Sequence, residues 1–105
     1  MNIKESAENL GLEEEEYLEL LELFIDTGTT DLADLQSAVE KKRTEEVACA
    51  AHSMKGAAAN LGLTSIFRIA KQIEEMAHKD MLDDALGAIR SIKNEMDLIT
   101  NISKR

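Results

Sequence analysis

The groups in this 105-residue chain that can do chemistry are few: two histidines, one cysteine and an excess of carboxylates. One of the histidines, His52, stands in unusual company. At roughly 100° per residue, Val47, Ala51, Met54, Ala58 and Leu61 share a helical stripe about 80° wide. His52 falls about 140° from the centre of that stripe, so its ring is expected in solvent. Ala48, Lys55, Gly56 and Ala59 surround it on the wheel, and three of those four are very small. A glycine inside a helix costs about 1 kcal/mol relative to alanine. Gly56, four residues after His52, is its neighbour on the helix surface and leaves clearance for another protein to approach. Lys55, three residues after His52, can bring an ammonium to a phosphoryl group carried on the ring.

Imidazole suits reversible phosphoryl carriage. Its reference pKa of about 6.5 keeps a nucleophilic neutral form plentiful at neutral pH. The chain has no glycine-rich phosphate loop and no evident carboxylate cluster for a metal. The residues therefore point to a carrier whose partner supplies metal and geometry. An exposed histidine on a helix is by itself an ordinary surface residue; the glycine and lysine beside it are what favour a function. Cys49 and His52 have C-x-x-H spacing, but zinc needs two further ligands, so no metal is expected. His78 falls near a predicted helix C-terminus, where the dipole favours its protonated form. Neither a Ser-His-Asp set nor a paired-carboxylate site stands out.

The elements that must position His52 are helical. The chain has no proline, five glycines and 3% aromatic residues, with 44% hydrophobic and 31% charged residues. That is a globular composition with an aliphatic core, better suited to long helices than to a sheet. A short helix is predicted over residues 3–10, with Ile3, Ala7 and Leu10 on one side. From Glu13 to Lys42, Leu18, Leu21, Ile25, Leu32, Leu35 and Val39 keep one register, with Gly28 in the missing slot. One continuous helix is predicted there, the competing reading being a break at Thr27-Gly28-Thr29-Thr30. Thr44 is read as the N-cap of the next helix and Gly62 as its C′ residue. Thr64 and Asp80 are read as caps of the last two. Their stripes are Ile66, Ala70, Ile73 and Ala77, then Leu82, Leu86 (or Ala85), Ile89, Ile92, Met96 and Ile99. The fold class is all-α: an antiparallel four-helix bundle with a short extra N-terminal helix, forming a single domain over 1–105.

The formal net charge of −9 argues against nucleic acid and anionic membranes as partners. The run Glu13 to Glu16 is read as part of a solvated acidic face. No apolar run approaches membrane-spanning length, and the first residues lack signal-peptide character. A lone cysteine excludes an internal disulfide and fits a reducing, cytoplasmic location.

The segment His52-Ser53-Met54-Lys55-Gly56-Ala57-Ala58-Ala59-Asn60-Leu61-Gly62 resembles the signature of the histidine-phosphotransfer family, H-x-x-K-G-[S]-[S]-x-N-[LI]-G. It departs at Ala57 and Ala58, where the family often has serine, and Leu63 stands where alanine is frequent. Ile66, Ala70 and Ile73-Glu74 fit the downstream pattern, and Tyr17 to Leu35 resembles the family's long second helix. The resemblance implies a phosphorelay intermediate. His52 would accept a phosphoryl group from one receiver aspartate and pass it to another. Lys55 would stabilise the phosphohistidine, Gly56 would admit the receiver, and Glu74 would orient the imidazole. The chain would be a carrier, not an enzyme, with no cofactor of its own and Mg²⁺ on the receiver. Its partners would be response-regulator receiver domains and a hybrid sensor histidine kinase, and it would be a monomer. Ile3, Ala7, Leu10, Leu12 and Phe67 are candidates for an apolar docking patch, with Arg68 and Lys71 adding positive charge. The alternative is a helical protein–protein interaction module that is never phosphorylated.

Overall fold

The computed structural model describes residues 2–103. Among them are five helices and no strand: α1 (Ile3–Asn9), α2 (Glu14–Glu40), α3 (Thr44–Asn60), α4 (Thr64–His78) and α5 (Ala85–Ser103). Helices α2 to α5 form a closed ring in which α2 packs on α3, α3 on α4, α4 on α5 and α5 back on α2; α1 lies against α2. The result is an elongated bundle, 41 × 21 × 17 Å. Short reversals make successive helices antiparallel neighbours. The expected four-helix bundle with a short N-terminal helix is the fold observed.

The predicted stripes of α3 and α4 are buried, and on α5 the buried residue at the first turn is Ala85, while Leu86 is 45% exposed. On α2 the stripe is centred one residue earlier than the aliphatic pattern suggested. Tyr17, Leu21, Phe24, Gly28, Leu32 and Leu35 face the core, while Leu18 and Ile25 are half-buried. The helix is unbroken through Gly28. Thr27 and Thr29 return their hydroxyls to the carbonyls of Leu23 and Ile25. A Cβ on Gly28 would lie 2.9 Å from Met96 Cε, so the glycine is a notch that lets a methionine of α5 reach the α2 backbone. Tyr17, fully buried, donates its hydroxyl to the Leu61 carbonyl at 2.8 Å. Burial pushes its phenol pKa up, with a smaller opposing effect from Ser6. Glu13 to Glu16 are exposed at the start of α2, where carboxylates favour the dipole, and the Glu16 carboxylate accepts the Glu13 amide.

The turns overturn three capping expectations. Thr44 and Thr64 are the first helical residues of α3 and α4, not their caps; the N-caps are Arg43 and Leu63. Asp80 ends α4 instead of opening α5, which begins at Ala85. All four reversals share one device. The residue after each C-cap is left-handed: Gly11, Lys42, Gly62 and Asp80, with φ from 54 to 71°. The next amide then bonds back across the last turn, as in Leu63 to Ala58 and Met81 to Met76. This is the Schellman arrangement. In the α2–α3 and α3–α4 reversals its last residue is also the N-cap of the following helix. An inward-facing residue such as Leu63, 4% exposed, therefore takes the place where a hydroxyl was expected. The Thr44 hydroxyl instead donates to the Asp80 carboxylate at 3.0 Å, tying two reversals together at one end of the bundle.

Candidate functional site

Val47, Ala51, Met54 and Ala58 turn one side of α3 inward, which rotates His52 outward; its side chain is 70% exposed. The antiparallel neighbour α4, fixed by its own buried face of Ile66, Ala70, Ile73 and Ala77, brings Glu74 beneath the ring. His52 Nδ1 and Glu74 Oε2 are 2.8 Å apart. Lys55 donates to the other oxygen, Oε1, at 2.5 Å. The carboxylate, 14% exposed, thus lies under both groups and binds one with each oxygen.

Lys55 is less free than its wheel position suggested. Its side chain, 23% exposed, reaches from α3 to α4, where the ammonium meets Glu74. The lysine hydrogen bond is the main cause that holds the Glu74 carboxyl below the usual glutamate range; partial burial opposes it, and the His52 contact adds to it. Glu74 is therefore ionised at neutral pH. An ionised carboxylate only accepts hydrogen bonds, so Nδ1 must be the donor. The neutral ring then carries its lone pair on Nε2.

Gly56 contrasts with Gly28. A Cβ at Gly56 would meet no neighbouring atom within 4 Å, so internal packing does not require glycine there. The surface next to the imidazole is open, and the helix bears the propensity cost without an internal return.

The other candidates divide. Ala7 is a core residue, whereas Ile3, Leu12 and Phe67 pack partly against the core; Leu10 is 41% exposed. Phe67, with Ala59, Leu63 and Thr64, frames a shallow hollow on the α3–α4 seam, a grouping that spacing within one helix does not reveal. Arg68 and Lys71 are exposed on α4. Cys49 and His78 line another hollow with Thr44 and Ala48. Among the described residues no group of three or more metal-binding side chains occurs, and no helix is long and apolar enough to cross a membrane.

Fold and site together define a class: a helical bundle that presents one imidazole, bonded to a carboxylate, at its surface. Comparison with known proteins gives the class its family. Residues 19–101 match the family model described as the Hpt domain, and the chain belongs to that family. Its structure is similar to the crystal structure of histidine-containing phosphotransfer protein B (HptB) from Pseudomonas aeruginosa PAO1. The TM-score is 0.84 and the identity 26%, over 94% of this chain and 86% of the other. No curated protein matches the chain.

Proposed function

We propose that His52 is the phosphoacceptor of this Hpt domain and that its Nε2 is the atom phosphorylated. The single observation that carries the reading is the ring's fixed presentation: Nδ1 bound to Glu74 at 2.8 Å, 70% of the side chain in solvent, and Gly56 open beside it. A histidine phosphotransfer role follows from family membership. In that role Nε2 attacks the phosphorus of a receiver's aspartyl phosphate. The acyl–phosphate P–O bond breaks, the carboxylate leaves with the electron pair, and the N–P bond forms. A second receiver's carboxylate reverses the step.

The chain's own residues supply presentation. Glu74 fixes tautomer and ring plane, Lys55 offsets part of the phosphoryl charge, and Gly56 lets the receiver approach. The receiver would supply the metal chemistry, a Mg²⁺ that would offset charge on the transferring group; the carrier itself would need no cofactor and would not be an enzyme. Receiver domains are the partners that the family implies. A hybrid sensor kinase as upstream donor, a monomeric state, a cytoplasmic location and no contact with nucleic acid complete the reading. Nothing in the site favours an unphosphorylated interaction module. The test is phosphotransfer from a labelled receiver. Wild type acquires acid-labile label and His52→Gln acquires none; label retained by His52→Gln refutes the assignment.

A further inference from the structure

From the His52–Glu74 pair we infer that Glu74 does more than orient the ring: it keeps the phosphorylated imidazole protonated on Nδ1 and so keeps the phosphoryl group ready to leave. The inference rests on phosphorylation of His52 at Nε2. When Nε2 attacks, the proton on Nδ1 stays where it is. The ring that was neutral now carries a phosphoryl group on one nitrogen and a proton on the other, and is a cation. Loss of the phosphoryl from that cation returns the N–P electron pair to Nε2 and leaves neutral imidazole, a good leaving group. Loss from a ring that has given up its Nδ1 proton would expel an imidazolate anion, a far poorer one. Whether phosphohistidine is reactive therefore depends on one proton, and that proton points at Glu74 Oε2.

The environment of the proton favours its retention. The carboxylate is ionised at neutral pH, its pKa held below the ordinary glutamate value by the Lys55 hydrogen bond first and by the His52 contact after it, and it is largely shielded from water. An opposite charge in hydrogen-bond contact stabilises the charged form of a titrating group. Lys55 opposes this through its own positive charge, but it is bound to the second oxygen of the same carboxylate, so the ring faces an anion and not a bare cation. Around this cluster, Cys49 on α3 and Arg68, Lys71, Glu75 and His78 on α4 are exposed. Among the described residues none of them forms a hydrogen bond or ion pair with the ring. A glutamine at position 74 would keep the hydrogen bond and lose the charge. The choice of an acid here tunes the carrier toward release at alkaline pH.

The experiment loads the full chain chemically: wild type, Glu74→Gln and Lys55→Met, each also carrying His78→Gln so that His52 is the one histidine that can react, are phosphorylated with potassium phosphoramidate, and the phosphorus NMR shift of the phosphohistidine is followed against pH. The wild-type midpoint is expected at least about one pH unit above that of Glu74→Gln, a tenfold difference in proton affinity. Transfer to a receiver should be several-fold slower from Glu74→Gln at pH 8.5, and equal from both at a pH below the two midpoints. Lys55→Met, which leaves the carboxylate to the ring alone, should move the midpoint upward and serves as a second reading should the glutamine variant not fold. Coincident titrations of wild type and Glu74→Gln, or no movement in Lys55→Met, overturn the inference. Failure of the wild type to form any phosphohistidine at His52 overturns the functional reading beneath it, a different outcome in the same spectrum.

Discussion

At the scale of single residues, the site is an arrangement of three side chains and one missing one. Lys55 is bound to Glu74, and under the proposed function the phosphoryl oxygens on His52 would compete for the same ammonium. Lys55→Ala should therefore slow phosphoryl transfer roughly tenfold, the rate equivalent of about 1.4 kcal/mol, while circular dichroism shows an intact helical fold. An unchanged rate removes the lysine from the mechanism. Gly56 is tested by bulk. Since no neighbouring atom lies within 4 Å of where its Cβ would be and the position is exposed, Gly56→Arg should fold as well as wild type or slightly better, because arginine is the stronger helix former. Titration with a receiver domain should nevertheless show binding weakened by at least tenfold, about 1.4 kcal/mol. Equal binding by both proteins would mean that the receiver docks elsewhere. His52, Lys55 and Gly56 were legible in the sequence because their relation lies within one helix, where spacing alone fixes direction. Glu74 was not legible that way. Its contact crosses between helices, and only the family resemblance pointed to it.

At the scale of elements, the helices were legible and their ends were not. Aliphatic spacing located each buried stripe, but on α2 it missed Tyr17 and Phe24, the aromatic residues that shift the packed face by one position. The turns were misread because Thr44, Thr64 and Asp80 are good N-cap residues by type, and nothing local shows that the preceding helix will close with a left-handed residue and use the cap position itself. That closure places a lysine at φ 55°, a conformation costing a side-chain-bearing residue about 1 kcal/mol. Lys42→Gly should therefore raise the unfolding free energy by up to about 1 kcal/mol, read as a higher urea midpoint at unchanged slope; a lower midpoint would show that the lysine makes an offsetting interaction. The notch at Gly28 allows a graded test. Its obstacle is the flexible end of Met96, so in Gly28→Ala the gain in helix propensity offsets the displaced methyl, and stability should stay within about 1 kcal/mol of wild type. Gly28→Leu cannot be accommodated by moving one methyl, and should lose about 1–3 kcal/mol or more through overpacking. Equal stability of the two variants would refute a close approach of α2 and α5 at this point.

At the scale of the whole molecule, which carries a net charge of −9, two carboxylates have pKa values displaced in opposite directions, and acid titration can separate them. Glu74 has its pKa lowered: the folded state holds the carboxylate more strongly ionised than the unfolded chain does. Its contribution to stability is present above the ordinary glutamate value and is lost as pH falls through the lowered one. Asp31 is the reverse case. Partial burial, and then the neighbouring charge of Asp34, raise its carboxyl pKa, and both residues line a shallow hollow with Glu45 and Glu46. Arg43 is also there, and its guanidinium is paired with Glu46 at 3.4 Å. Between the ordinary aspartate value and the raised one, the folded chain binds a proton that the unfolded chain has given up. Asp31 therefore lowers stability at neutral pH, and that cost disappears as pH falls through its raised value. Asp31→Asn, which keeps the shape and removes the charge, should melt at a higher temperature than wild type at pH 7. The gain should shrink with falling pH and vanish below about 3.9, the unperturbed aspartate value. Glu74→Gln should show the opposite sign at pH 7, and its deficit should close over a lower range, below the ordinary glutamate value. Thermal unfolding followed by circular dichroism between pH 7 and pH 3 checks both. An Asp31→Asn increment that does not change with pH would show that the substitution acts through helix propensity or packing, and that the acidic hollow between α2 and α3 places no electrostatic cost on the fold.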